Sequence, residues 1–140
     1  MPHSLKNTQL AAEALKYLMS EKEYEEFIKL SDDDMKKQFE IFWKKRDPTP
    51  STAYNEEMAE YYHRCDYALE NFGTLSHADG IDTDRGKVYI LYGPPTRTDR
   101  LLMPNVVPKE VWYSENLGLK FVFVDESRSG NYKLLSSEKS

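Results

Sequence analysis

The sequence predicts an α+β fold, with about four N-terminal helices packed on a C-terminal antiparallel sheet of about four strands. Apolar residues recur at helical spacing as far as about residue 73. Beyond that point, short β-branched and aromatic runs alternate with Gly, Pro and Asn turns, as in strands. The connections between the later strands are as short as those of β-hairpins, which favours antiparallel pairing. We therefore expect one domain over residues 1–140, with a helical part at 7–73 and a sheet part at 86–136.

The first three helices are marked by their N-terminal caps. Residues 9–19 form the first, and a capping box of Ser20 and Glu23 opens the second. Ser31 opens the third, because the three aspartates that follow it favour a positive helix N-terminus. This helix carries one stripe at helical spacing: Met35, Phe39, Phe42, Trp43 and Arg46.

The fourth helix is the longest and the best patterned. Thr49 is predicted to cap it, with Pro50 at the first helical position, where a missing amide hydrogen costs nothing. Its stripe comprises Tyr54, Met58, Tyr61, Tyr62, Cys65, Leu69 and Phe72, and we expect Tyr54, Tyr61 and Tyr62 to lie between helix and sheet. Cys65 is the single cysteine, which excludes an internal disulfide.

Strands are expected after the glycine-flanked loop. Residues 87–92 alternate with a period of two, and Gly93-Pro94-Pro95 stops the predicted strand because proline has no amide hydrogen to donate. Residues 94–109 then form a loop. Residues 110–114, 119–125 and 131–136 are predicted strands, and 119–125 is apolar on both faces, as in a central strand.

Composition excludes several classes of protein. The net charge is −5 and the basic residues are dispersed, which argues against a nucleic-acid partner. No run approaches the roughly 20 apolar residues of a membrane span, so we expect no membrane insertion by this segment. No secretory signal is visible, and no phosphate-loop or Ser-His-Asp pattern occurs. We therefore expect no cofactor, no metal and no assigned catalytic residue.

An acidic loop at 77–85 is the first candidate site. It holds Asp79, Asp82, Asp84 and Arg85, with His77 nearby. The functional interpretation is a cation or polar-ligand site. In the structural interpretation, which we favour, Asp84 caps backbone amides at the turn and Arg85 pairs with a carboxylate across the fold.

Two further charged segments can each be interpreted as a binding site or as a structural turn. Residues 125–130 partly match the start of a calcium loop, although a hairpin turn fits better because serines are poor substitutes for charged ligands. Arg46 and Asp47 form a corner with a built-in ion pair, in which we expect Arg46 to reach helix-end carbonyls or a loop carboxylate.

Aromatic and proline residues supply the last candidate site. Tyr92, Pro94, Pro95, Trp112 and Tyr113 could line a groove beside the long loop, where a peptide or carbohydrate could dock. Core packing is the favoured interpretation for most of the tyrosines.

The segment from Asp82 to Pro95, DTDRGKVYILYGPP, resembles the signature of the GWxTD domain family, a Gly-Trp-any-Thr-Asp run followed by Tyr-Gly-Pro-Pro. Residues 39–50, 60–64, 71–73, 111–113 and 121–125 are similar to other parts of that family. Ile81 stands where the family carries tryptophan. The resemblance implies a bacterial, extracytoplasmic (periplasmic or secreted) protein, usually the C-terminal part of a longer chain. It transfers no catalytic residues, because the family has no established activity.

Our first functional hypothesis is a non-catalytic interaction or structural module, whose partner is the remainder of the parent polypeptide or another protein. Its contact surface would be the loops at 74–86 and 94–109. The alternatives are a hydrolase-type enzyme using the acidic loop and a calcium-dependent module that binds a peptide or carbohydrate. An enzyme predicts carboxylates converging in a concave pocket. A module predicts that Asp84 and Arg85 are engaged in local hydrogen bonds, with an exposed apolar patch elsewhere.

Overall fold

The computed structural model describes residues 2–74 and 79–139, and within these ranges the fold is α+β. The helices are α1 (His3–Lys6), α2 (Thr8–Glu13), α3 (Glu21–Ile28), α4 (Asp32–Lys45), α5 (Glu56–Asn71) and α6 (Asp84–Tyr92). The strands are β1 (Arg97–Leu101), β2 (Lys109–Ser114), β3 (Leu119–Val124) and β4 (Lys133–Lys139). They form one antiparallel sheet in the order β1-β2-β3-β4. Among the residues described, no helix combines the length and apolarity needed to cross a bilayer.

The chain divides into two compact units, Met1–Asp66 and Tyr67–Ser140. The division falls inside α5, so one continuous helix contributes residues to both units. The first unit is helical. The second contains the end of α5, a 3-10 turn at Gly80–Asp82, α6 and the sheet.

The first unit is organised around buried tyrosines of α5. The hydroxyl of Tyr62 donates to the carbonyl of Ala11 at 2.7 Å, and that of Tyr61 donates to the carbonyl of Ala14 at 2.6 Å. Their ring centroids lie 5.7 and 5.5 Å from that of Trp43. Both tyrosines are therefore buried among helices, whereas Tyr54 is 60% exposed and precedes α5, so the expected helix–sheet position of these tyrosines is wrong.

The predicted serine caps are confirmed. Ser20 Oγ accepts from the amide of Glu23 at 3.2 Å, and Ser31 Oγ accepts from that of Asp34 at 3.3 Å. The predicted start of the fourth helix is wrong. Asn55, not Thr49, supplies the cap, accepting from the amide of Met58 at 3.0 Å. Its side-chain amide also donates to the carbonyl of Trp43 at 2.7 Å, which ties the start of α5 to the end of α4.

The first strand predicted from the sequence is wrong, because residues 84–92 form α6. Thr83 Oγ1 accepts from the amide of Gly86 at 3.1 Å and so caps the helix. Gly93 ends it with φ of 83°, donating to the carbonyl of Tyr89 at 2.8 Å. The first strand lies later, at 97–101, inside the segment predicted to be a loop.

The remaining strands agree with the prediction to within three residues. β3 pairs with both β2 and β4 and is therefore central, as expected. Its side chains Phe121 and Phe123 are 2% and 0% exposed. Asp125 closes the β3–β4 hairpin by accepting from the amides of Ser129 at 3.1 Å and Gly130 at 2.8 Å. These bonds support the hairpin interpretation of residues 125–130.

Candidate functional site

The glycines of the signature segment allow backbones to approach closely. A Cβ atom on Gly80 would overlap the carbonyl oxygen of Ala68 in α5, and one on Gly86 would overlap the carbonyl oxygen of Gly80. The end of α5, the 3-10 turn and the first turn of α6 are therefore stacked backbone on backbone. Only glycine fits at these two positions without displacing main chain.

Threonine and isoleucine fix the same turn. Thr83 Oγ1 donates to the carbonyl of Gly80 at 2.8 Å while it caps α6. Ile81 is 2% exposed. The position where tryptophan is characteristic of the signature is thus a core position in this chain, and Ile81 fills it.

Asp84 joins α6 to the last strand. Its Oδ2 accepts from the amide of Leu134 in β4 at 2.7 Å. The prediction that Asp84 caps backbone amides at its own turn is therefore wrong, because the amide that it holds belongs to a distant strand. The cap of the turn itself is Thr83.

Arg85 is buried in the second unit and paired as predicted. Its Nη1 lies 3.5 Å from Glu110 Oε2, and its Nη2 donates to the carbonyl of Gly130 at 3.3 Å. The guanidinium lies between two rings, 5.1 Å from the centroid of Phe72 and 4.7 Å from that of Tyr132. A planar cation suits this sandwich, because each ring face is electronegative.

Glu110 has both carboxylate oxygens engaged. Oε1 accepts from Trp112 Nε1 at 2.7 Å, and Oε2 accepts from Arg100 Nε at 3.0 Å while facing Arg85. Glu110 is 4% exposed and Trp112 3% exposed. Arg85, Glu110 and Trp112 are buried, and Arg100 covers them from the surface with a side chain that is 61% exposed; we call these four residues the buried charge centre. Its geometry crosslinks α6 to β1 and β2, and each oxygen of Glu110 has at least one partner within the fold.

The acidic loop does not form a cluster of metal ligands in the part that the structure describes. Asp79 Oδ1 accepts from the amide of Ile81 at 2.9 Å, Asp82 is exposed, and Asp84 is held by Leu134. His77 lies outside the described residues. Across residues 2–74 and 79–139, no three His, Cys, Asp or Glu side chains are grouped so as to hold a metal ion.

A shallow groove of about 370 Å³ lies between α6 and the sheet. It brings together two of the predicted candidates, Asp84 and Tyr92, and the ring of Tyr92 packs 5.0 Å from that of Phe121. Pro94 is exposed, Pro95 is half-buried and Trp112 lies in the core. The aromatic and proline candidates are therefore divided between surface and core.

The Arg46–Asp47 corner has a local structural role, but the predicted partners of Arg46 are wrong: among the described residues its side chain contacts an aromatic ring and forms no ion pair with Asp47. The guanidinium of Arg46 lies over the ring of Phe42, 4.6 Å from its centroid. Asp47 Oδ1 accepts from the amide of Thr49 at 2.9 Å, which shapes the turn after α4.

An apolar patch is exposed between β1 and β2, inside the segment 94–109 that was predicted to be part of a contact surface. We call residues 101–107 the apolar tip. Its exposed members are Leu101 at 46%, Leu102 at 62%, Met103 at 57%, Val106 at 42% and Val107 at 39%. In the sequence, this patch is indicated by a run of mostly apolar residues at 101–107 that contains no charged residue.

The apolar tip has a closed, braced backbone. The amide of Val106 donates to the carbonyl of Met103 at 3.2 Å, and Arg128 Nη2 donates to the carbonyl of Val106 at 3.2 Å. Arg100 and Lys109 flank it, and no acidic residue occurs between them in the sequence. The tip is therefore an apolar surface with a basic border.

Comparison with known proteins agrees with the signature. The family model described as the GWxTD domain matches residues 1–140, the whole chain. Searches of curated proteins and of solved structures give no match. Because the family match covers the full length, and the signature residues Gly80, Thr83 and Asp84 each have a defined place in the fold, this chain belongs to the GWxTD domain family.

Proposed function

We propose that this chain is a non-catalytic interaction module of a larger exported bacterial protein. The observation that carries the proposal is the apolar tip, where five large apolar side chains are exposed in one braced hairpin loop. Burial of such surface on a partner is favourable by about 25 cal/mol per Å² of apolar area. Contiguous exposed apolar patches are typical of interaction sites.

The border of the tip defines the chemistry of the partner. Lys109 and Arg128 place positive charge beside the apolar residues, whereas the charge of Arg100 is paired with Glu110 at 3.0 Å. A protein surface with an apolar centre and acidic edges is complementary to this arrangement, and a basic surface is repelled. The partner is the remainder of the parent polypeptide or another protein.

The signature side chains favour a module over the hydrolase alternative. Asp84 is bonded to Leu134, and Arg85 is enclosed by Glu110 and two rings. A catalytic carboxylate needs free lone pairs facing a cleft that substrate can enter. Glu110 is instead buried with both oxygens engaged, and Asp84 uses Oδ2 to hold the amide of Leu134, which favours a structural role for both carboxylates.

The calcium-dependent alternative has less support for a similar reason. Asp125 is 4% exposed, and its carboxylate accepts from two backbone amides of its own turn. If calcium nevertheless bound the folded chain, the melting temperature would rise with calcium concentration by mass action. We expect calcium and a chelator to give the same melting curve.

Photo-crosslinking in the parent protein tests the proposal. A photoreactive amino acid at Leu102, in the protein produced by its own host, should give a discrete crosslinked product that maps to an acidic, apolar segment. Leu117 is the matched control, because it is also apolar and 49% exposed but follows the opposite end of β2. Lys109→Glu should lower the yield at Leu102, since it reverses one border charge.

Two outcomes would contradict this function. Equal crosslinking at Leu102 and Leu117 would mean that the tip has no special partner. A Leu102 product that maps to a basic segment, or whose yield rises with Lys109→Glu, would mean that the charge argument is wrong.

A further inference from the structure

The first unit carries an open groove between α3 and α4. Its volume is about 600 Å³. Its lining includes two large apolar residues, Phe27, which is 4% exposed, and Ile41, which is 45% exposed. The exposed part of Ile41 is apolar area that an occupant of the groove can bury.

The two walls of the groove carry opposite charges. Glu23 and Glu26 project from α3, whereas Lys45 and Arg46 lie at the end of α4. Within residues 2–74 and 79–139, no ion pair joins one wall to the other. Arg46 is held in place by its contact with the ring of Phe42 at 4.6 Å. Arg46 is therefore held in place, and the charges of each wall, among the residues described, are not paired with those of the other wall.

This distribution of charge is complementary to itself. A two-fold axis that runs parallel to the groove would set the acidic wall of each copy against the basic wall of the other and place the two Ile41 side chains on facing surfaces. The two glutamates and two cations of each copy then all find opposite charges. An isologous contact of this kind is the commonest way in which a chain forms a closed dimer.

We infer that a second copy of this chain occupies the groove. The apolar tip differs in this respect, because Lys109 and Arg128 beside it are both basic and two copies of it repel each other. The groove and the tip therefore take different partners. The test below leaves the tip unchanged, so either proposal can fail without the other.

Sedimentation equilibrium of the purified chain measures the association directly. We expect reversible dimers with a dissociation constant between about 1 μM and about 1 mM, typical of a small interface. Raising salt from about 0.1 M to about 1 M shortens the Debye length from about 10 Å to about 3 Å and should weaken the dimer at least about tenfold.

Charge exchange between the walls supplies the sharper test. Glu23→Lys with Glu26→Lys, and separately Lys45→Glu with Arg46→Glu, should each give monomers, because like charges then face each other. An equimolar mixture of the two variants should form dimers again. Glu21→Lys with Glu25→Lys is the matched control, since these exposed α3 residues do not line the groove and should leave dimerisation unchanged.

Circular dichroism of each variant confirms that it is folded before its mass is measured. A monomeric wild-type chain at about 1 mM would overturn the inference. So would wild-type dimers that are insensitive to salt, or charge-exchanged variants that dimerise alone as tightly as the wild type. If one variant fails to fold, the salt dependence of the wild type and the effect of the other variant still show whether the groove forms the dimer.

Discussion

At the residue scale, the side chain of Glu110 holds three other side chains in place. It is the acceptor for an indole and for one arginine, and it faces the guanidinium of Arg85, all in the second unit. A buried ion pair of this kind contributes little compared with well-packed apolar residues. Loss of one partner is nevertheless costly, because it leaves the other charge buried and unpaired.

Glu110→Gln should therefore lower the free energy of unfolding by about 3 kcal/mol, at the lower end of values for breaking a buried pair. Urea titration followed by circular dichroism measures the change. Glu115→Gln is the control. The Glu115 side chain is 64% exposed and lies 3.8 Å from Arg97, so its loss should cost less than about 1 kcal/mol. Equal effects of the two substitutions would show that the buried charge centre is not structural.

The buried hydroxyl of Tyr62 links stability to alkaline pH. Burial raises its pKa above the ordinary value of 10.0, because the ionised form would lose water and could no longer donate to Ala11. Below pH 10 both the folded and unfolded chains hold the proton, so the contribution to stability is complete. Above pH 10 the unfolded chain loses its proton first, and the free energy of unfolding falls as the pH rises.

Tyr62→Phe should therefore have two effects. It should cost about 1 kcal/mol at neutral pH, since the carbonyl of Ala11 loses its donor. Above about pH 10 its stability should fall less steeply than that of the wild type, by up to about 1.4 kcal/mol per pH unit. Urea titrations at several pH values measure both. Tyr54→Phe, at an exposed position, should follow the wild type throughout, and a parallel pH profile for Tyr62→Phe would contradict the assignment.

The element that departs most from expectation is α6. Its residues alternate in polarity and are rich in Val, Ile and Tyr, all of which favour strands. A helix of nine residues is too short to be stable alone, so its conformation depends on its surroundings. Thr83 at one end, Gly93 at the other and the two close glycine contacts hold it.

Gly80→Ala and Gly86→Ala should each destabilise the second unit by about 2 kcal/mol or more, because the added methyl group meets main-chain carbonyls that side-chain movement cannot clear. Thermal or urea unfolding gives the comparison. Gly118→Ala is the reference. Gly118 has φ of 65° but open space around a Cβ, so only backbone strain of about 1 kcal/mol applies. If the three alanine variants were equally stable, close approach would not explain the signature glycines.

At the scale of the whole molecule, α5 connects the two compact units. It contributes Tyr62 to the first unit and Ala68 to the second, both of them 0% exposed. Unfolding of either unit removes the packing of one end of this helix. We therefore expect the chain to unfold in a single cooperative transition.

The two tryptophans allow this expectation to be tested. Trp43 lies in the first unit and Trp112 in the second, so Trp43→Phe and Trp112→Phe each leave one fluorescent reporter. In each variant the fluorescence transition in urea should coincide with that of circular dichroism. A fluorescence midpoint separated from the circular dichroism midpoint in either variant would mean that the units unfold independently.

The sequence alone determined those features whose signals act over a few residues. Ser20 and Ser31 begin helices because their hydroxyls reach an amide three positions away, and the doubly apolar run of β3 requires a strand on each side. The α+β class was predicted from the same kind of signal, and the sequence also predicted that Arg85 pairs with a carboxylate without identifying which one. Asn55 could have been identified as a cap, since asparagine is a preferred N-cap residue.

Only the tertiary structure decided the remaining features, because they depend on residues far apart in the chain. Residues 84–92 have the pattern of a strand but form a helix. The backbone of Gly80 packs closely on Ala68, and that of Gly86 packs closely on Gly80, which leaves room for the helix. No local pattern shows that Glu110 is the partner of Arg85, or that Asp84 reaches Leu134. Local hydrogen bonds and periodicity depend on neighbouring residues and can be identified from the sequence. The partner of a distant residue depends on the topology that brings the two segments together.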